Sequence, residues 1–456
     1  MNHRSFPNPR GPARRHGPLR VMAATALALS TLARPAAAEE PQTDAVAGSG
    51  ISWSVSAFAS LGWAVANRPT TFQRFIDRSG TWQRDSLAGA QVDLQVTPQW
   101  SATAQARLAP SVEHDSRWDL TAAWAFAAWR PGNDWLLRAG KMRAPLFLRS
   151  EQLDVGQTYH EARLPSEIYA FAPSNDFTGG NFSRSFALDG GDLGIEVYHG
   201  SSTLTKRFWL REGLPPLKPA GATFQKVETT VQGVVGTWRS PSLTARVGLH
   251  QARTRNVDGS PLMVAPSWAA LGPGIGYWQT SNELPGPGVA SVPRIRNSLV
   301  SVGADADLGQ GWRVAAEWVK VRQHDTELGF DGRGAYVSVY RSLGAFTPYV
   351  TLATMSSNDS IVNWVRQLEA TRVPAFVPGA AQLNASMRLR ADAVPVNVQH
   401  SHAVGTSYAV DTRSRIKLEW HHTDARMSSM FDLNAGDAIE ARRRIDVLSL
   451  SYHIAF

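Results

Sequence analysis

Cysteine is absent from the 456-residue chain, charged residues make up only 18% of it, and no long apolar run occurs beyond Glu39. Without cysteine there can be no disulfide framework, no thiolate metal site and no thiol nucleophile. A charged fraction below the roughly 25% of soluble domains means that much of the surface does not face water. The longest uninterrupted apolar stretch past the N-terminus, Ala122 to Trp129, has eight residues, far short of the about 20 that a membrane-crossing helix needs. A helical membrane protein is excluded. The length suits two or three ordinary domains or one large barrel.

The formal charge of +8 and the basic balance behind it invite a nucleic-acid reading, so the location of that charge matters. Arg4, Arg10, Arg14, Arg15 and Arg20 precede an apolar run from Val21 to Ala33, which ends near Ala36-Ala37-Ala38. A basic region, a short apolar region and a small-residue cleavage site make residues 1–38 an export signal, too short in its apolar part to span a bilayer. With Arg34 it holds six of the 46 basic residues and no acid, leaving 40 against 38 and a charge of +2. The case for a nucleic-acid partner goes with the signal. Residues 39–50 read as a short periplasmic N-terminal segment.

Alternation dominates the remainder. In the C-terminal IDVLSLSYHIAF, Leu448, Leu450, Tyr452, Ile454 and Phe456 fall on one face, and Ser449, Ser451, His453 and Ala455 on the other. RSRIKLEWHH repeats it, with Ile416, Leu418 and Trp420 opposed to Arg415, Lys417, Glu419 and His421. Further copies set Val92, Leu94 and Val96 against Asp93, Ala104 and Leu108 against Arg107, Leu243 and Val247 against Arg246, and Trp312 and Trp318 against Arg313 and Glu317. A period of two with an apolar outside and charges in file inside is the inverse of a soluble sandwich.

Strands are expected near 51–65, 86–98, 99–110, 118–130, 134–142, 182–189, 192–200, 225–239, 242–253, 297–308, 311–323, 333–343, 345–356, 401–411, 413–424 and 444–456. Seven short turns rich in Gly, Pro and Asn/Asp alternate with eight longer connections, which puts both chain ends on the short-turn side. In hydrocarbon every backbone polar group needs an internal partner, so such strands must close on themselves. The expected fold is all-β: a transmembrane antiparallel barrel of 16 strands, with long external loops and short periplasmic turns. Eighteen strands are the rival, because segments 254–296 and 357–400 have room for more. Trp100, Trp129, Trp135, Trp238, Trp312 and Phe346 stand beside short turns, where an interfacial girdle belongs.

On these residues the chain resembles the Gram-negative outer-membrane porins. More narrowly, RAGKMRAPLFLRSEQLDVGQTYHEARLPSEIYA (138–170) is similar to a segment of proteobacterial porin-like proteins, although the PEFxG-type loop of the best-known trimeric porins is not present in that form. The resemblance implies localisation in the outer membrane, recognition of terminal Phe456 by the barrel-assembly machinery, a homotrimer, and a third external loop, 143–181, folded into the lumen to narrow it. Its carboxylates are Glu151, Asp154, Glu161, Glu167 and Asp176, and its opposing cations Arg143, Arg149 and Arg163. On the strands, inward Arg107, Arg138, Arg246, Arg313, Arg415 and Lys417 outnumber inward Asp93, Glu196, Glu317 and Glu419. A charged aqueous passage discriminates permeants by charge, so the expected function is passive diffusion of small hydrophilic solutes with weak anion preference and no cofactor. Arginines near the outer ends equally suit lipopolysaccharide phosphates.

Three other readings compete. One is a substrate-selective channel, and another an adhesive barrel using Pro/Gly-rich loop 254–296. The third is an outer-membrane hydrolase, for which His400, His402, His421, His422 and Asp424 would supply a rim acid/base or metal cluster. No G-x-S-x-G, phosphate-binding loop or HExxH accompanies them. Neither a catalytic nor a metal-ligating residue is assigned.

Overall fold

The computed structural model describes residues 50–172, 176–214 and 218–456. The expected export signal and the stretch up to residue 49 lie outside them. Sixteen strands close into one antiparallel barrel. They are β1 (Ser52–Ala66), β2 (Leu87–Gln95), β3 (Trp100–Pro110), β4 (Trp118–Trp129), β5 (Trp135–Arg143), β6 (Asp176–Leu188), β7 (Gly191–Leu210) and β8 (Gly221–Arg239). The second half is β9 (Leu243–Asn256), β10 (Ile295–Gly309), β11 (Trp312–Gln323), β12 (Gly332–Arg341), β13 (Phe346–Ser357), β14 (Asn397–Ala409), β15 (Ser414–Ser428) and β16 (Arg443–Ala455).

Each strand pairs with its sequence neighbour, and β1 closes the ring on β16 with Ala59 opposite Ile454. The Ala57 and Phe456 backbones exchange hydrogen bonds of 3.3 and 2.8 Å at the seam. No edge is left, as a barrel in hydrocarbon requires. Outward Val247, Leu249, Val302, Leu352, Leu418 and Leu450 are exposed, whereas inward Arg246, Ser301, Thr351, Lys417 and Ser449 are buried. An exposed apolar exterior around a polar interior fits a hydrocarbon surrounding.

At the turn end the aromatics pair across strands. Trp100 and Trp129 stack with centroids 5.8 Å apart, Trp135 meets Phe182 at 5.2 Å, and Phe346 meets Tyr408 at 4.7 Å. The β10–β11 turn needs left-handed backbone at Gly309, Gln310 and Gly311 (φ 79°, 51° and 81°), which two glycines adopt freely and glutamine does not.

The 18-strand alternative fails in both loops that suggested it. Segment 254–296 holds small hairpins, pairing Leu262–Ala265 with Ala290–Val292 and Ser267–Gly272 with Ile275–Gln279, outside the barrel sheet. Segment 357–400 holds two helices. After the one-turn α1 (Ser166–Tyr169), these are α2 (Asp359–Ala370) and α3 (Ala380–Ala393). Asp359 suits the positive end of α2, while Ile361, Val362, Val365 and Leu368 share a buried stripe. That stripe packs with Leu383 and Met387 of α3 and with Tyr277 and Ile439 into an apolar core beyond the barrel. Arg211, just past β7, ties the two helices by ion pairs of 2.6 Å to Asp392 and 2.5 Å to Glu369.

Candidate permeation path

The β5–β6 connection turns into the barrel. Arg143 ends β5 and Asp176 begins β6, so these two expected loop residues belong to the strands, where they pair at 3.1 Å. Beyond Arg143 the chain crosses to the far wall. Arg246 of β9 donates to the Phe147 carbonyl (2.7 Å), the Leu148 amide donates to Glu317 of β11 (2.8 Å), and Arg149 pairs with Asp305 of β10 at 2.5 Å. It then swings back, with Asp154 held by Arg143 at 2.8 Å and Arg107 of β3 at 2.9 Å. Burial alone would raise the Asp154 pKa; the two guanidiniums more than offset it and hold the carboxyl below its usual range.

The next stretch lies against β12 to β16. Gly156 sits so close to the His453 ring that a Cβ there would come within 2.1 Å of it, so only glycine passes. Lys417 donates to the Glu161 carbonyl at 2.7 Å and sits 3.9 Å from the Tyr159 ring centroid. The Glu161 carboxylate accepts from the Tyr340 hydroxyl, and the Ala162 amide donates to Tyr349 at 3.0 Å. Arg163 makes a two-pronged pair with Asp85 (3.0 and 2.8 Å) and reaches Ser449. Glu167 accepts from Gln399 at 2.9 Å, and the Tyr169 hydroxyl donates to Glu317 at 2.7 Å.

The expected constriction residues thus come together, while the wall residues divide. Arg107, Arg138 and Arg313 keep 23%, 17% and 37% of their side-chain surface exposed. Glu151, 37% exposed, faces Arg138 at 4.0 Å. Asp93 accepts from Gln91 and Thr103 on the β2–β3 side. Glu196 is held by Arg138 at 3.0 Å and by Asn181. Lys417 and Glu419 are covered by the loop, and Glu317 is similarly buried. Arg415 donates to His160 at 2.7 Å, and Phe456 stands exposed at the turn end.

Asp85, Asp305 and the inward tyrosines 336, 340 and 349 escape the sequence reading. Asp305 lies on the inward file of ADADLG, so alternation marks it; Asp85 lies in an irregular loop and carries no pattern. The rim histidines divide between the two faces of the wall, and His422 pairs with Asp446 at 2.7 Å. His402 and His422 point outward with ring centroids 4.9 Å apart, His421 points inward, and no metal-binding group of three occurs among the described residues.

His160 links the loop to proton concentration. Its Nδ1 lies 2.7 Å from Arg415, which can only donate, and 2.8 Å from the Ser407 hydroxyl, so Nδ1 accepts. Burial, then the charges of Arg415, Arg313 and Lys417, lowers its pKa from 6.5 to about 3. A lowered value means the undocked loop binds the proton more readily, so docking is strongest above pH 6.5 and weakens progressively towards pH 3. Lowered Asp154 and Asp85 act in the same direction. Single-channel current noise is therefore expected to grow on acidification from pH 7 to about 4, and His160→Gln to flatten that rise. Noise independent of pH would refute this coupling.

No protein-family model matches the chain, and no curated protein matches it in sequence. Solved structures do resemble it. The outer membrane channel DcaP of Acinetobacter baumannii is 11% identical with a TM-score of 0.48, over 90% of this chain and 99% of that one. An anion-selective porin from Comamonas acidovorans is 10% identical (TM-score 0.47; 89% and 100% of the two chains). OmpT, an outer membrane protein of Vibrio cholerae, is 8% identical (0.45; 91% and 100%). Strand number and closure rest on this chain's own pairing.

Proposed function

We propose that this barrel is a Gram-negative outer-membrane porin: a water-filled channel for passive diffusion of small hydrophilic solutes, with weak preference for anions. The loop tied across the lumen carries this reading, since such a loop narrows a wide polar barrel to a size- and charge-selective passage. The passage runs beside the loop along β2 to β9. There Arg107 and Arg138 remain partly exposed beside Glu151 and Glu196, whereas Glu317, Glu419, Glu161 and Glu167 lie covered by the docked loop. Because Arg107 is paired with Asp154 and Arg138 with Glu196, the positive field they set up is weak, and the preference for anions is weak with it. No catalytic group and no cofactor enter the mechanism.

Purified protein in planar bilayers is expected to give discrete conductance steps, with a reversal potential of the sign for chloride under a KCl gradient. Silence would overturn the channel reading, and strong cation selectivity the role of the wall arginines. Lipase and protease assays are expected to be negative.

Phe456 serves as the signal for the assembly machinery, and three copies associate. The outer face of β2 to β4 supports association, because Ala90, Ala104, Ala106, Ala122, Ala125 and Ala127 are exposed there and make it flatter than the Val/Leu/Trp face of β9 to β16. Ala104→Trp is expected to shift cross-linked species from trimer to monomer; an unchanged trimer would place the interface elsewhere.

A further inference from the structure

The external mouth is bridged from one wall to the other. β7 and β15 stand eight places apart in the ring of sixteen, which sets them on opposite sides. β7 has 20 residues and β8 has 19, about twice the 9–11 that cross an apolar band. At about 3.3 Å per residue the surplus reaches roughly 30 Å, and sixteen strands about 4.8 Å apart and tilted about 40° enclose a ring roughly 30 Å across. The β7–β8 hairpin is long enough to cross it.

Its contacts show that it does. Arg207 of β7 makes a two-pronged pair with Asp432 of the β15–β16 loop, both arms 2.8 Å, and also pairs with Asp115 of the β3–β4 loop at 2.9 Å. Two residues on, the Trp209 indole donates to the Leu433 carbonyl at 2.7 Å, and Arg211 donates to the Asp437 carbonyl at 2.6 Å. Phe431 and Asp432 form a short ladder with Thr71 and Phe72 of the β1–β2 loop, and the adjoining Gln73 donates to Ser166 of loop 143–181 at 3.1 Å. The hairpin is thus linked, through the far rim, to the loop that narrows the lumen.

What fastens this strap to the far side is polar. Among the described residues, none of 203–224 enters the apolar clusters that hold other external segments together, and no strand ladder joins the hairpin to the β15–β16 loop. Arg207 keeps 17% of its side-chain surface exposed, Asp432 6% and Asp115 30%. A few charge-assisted hydrogen bonds within reach of water form a weaker attachment than a strand ladder. They can release while the barrel stays closed. A solute entering from outside has to pass the strap, so passage is fastest while it is detached.

We propose that the β7–β8 hairpin is an external gate in series with loop 143–181, closed while Arg207 and Trp209 hold Asp432 and Leu433 and open when they let go. The inference rests on the channel reading above and deepens it by separating two barriers. Loop 143–181 sets the current through an open channel. The strap sets how long the channel stays open.

Single-channel recording reads the two barriers separately. Arg207→Gln/Trp209→Phe spares the ties of Arg211 to the helices and is expected to lengthen open dwell times at least about tenfold at unchanged step size, a charge-assisted hydrogen bond being worth about tenfold or more in an equilibrium. Because the chain has no cysteine, Trp209→Cys/Leu433→Cys supplies a single thiol pair, to be joined by a bis-maleimide with a disulfide spacer. Joining the pair should remove most openings, and dithiothreitol, which cleaves the spacer, should restore them. Unchanged dwell times in the first variant, or joined channels that open like the wild type, overturn the gate and leave the channel reading standing. An absence of steps from wild type, variants and cleaved protein alike fails the channel reading instead.

Discussion

Deleting residues 151–167 should raise single-channel conductance several-fold without unfolding the barrel. The ends left behind already lie together: Leu148 and Tyr169 bond the same Glu317 carboxylate at 2.8 and 2.7 Å, and the Arg149 amide donates to the Tyr169 hydroxyl at 3.2 Å. Joining Ser150 to Ile168 therefore needs little rearrangement. What disappears is the part that fills the cross-section, with the attachments of Asp154, His160, Glu161 and Arg163. Lys417, Glu419, Arg107 and Arg143 would then face water, which solvates them, so the deletion strands no charge in an apolar medium. The strand ladder does not depend on the loop. Heat-modifiable mobility in gels should show a folded barrel, and unchanged conductance in a folded deletion would mean that the loop does not set the narrowest point.

How legible this arrangement is in the sequence depends on which force writes the pattern. All 16 strands follow from alternation, because every strand in the apolar band must present one face to hydrocarbon and the other to water. Where that contrast stops, so does the signal. The strand expected at 192–200 runs on to Leu210, where the regular alternation of apolar and polar residues stops at Thr203, Leu204, Thr205 and Lys206. The helices at 359–370 and 380–393 carry helical spacing, but in a polar, Pro-bounded segment that a barrel reading treats as loop. Inward residues such as Arg107 and Glu317 follow from parity alone. Their partners do not: the bond between Leu148 and Glu317 joins an irregular loop to a strand 169 positions away, and no local pattern encodes it.

The second large effect concerns another of those unreadable pairs. Arg163→Ala should undock the loop over β13 to β16 while leaving the barrel assembled. Arg163 and Asp85 are only 10% and 11% exposed and meet in a two-pronged geometry, supported by Gln73 and Ser449. Burial alone would raise the Asp85 pKa; Arg163 reverses that and lowers it, so its carboxylate depends on the guanidinium. Removing one partner of a buried pair costs about 3–5 kcal/mol, mostly from the charge left behind. Hydrogen-exchange protection of the Ala162 amide, which donates to Tyr349, is then expected to fall on the order of a hundred- to a thousandfold. Arg163→Met with Asp85→Leu removes both charges of the pair and should restore part of the protection, the remainder being lost because Arg84, partly buried beside Asp85, is left without its carboxylate. Equal loss in single and double variants would mean that shape rather than charge holds this stretch. Protection unchanged by Arg163→Ala would move the anchor to Glu161 and Lys417.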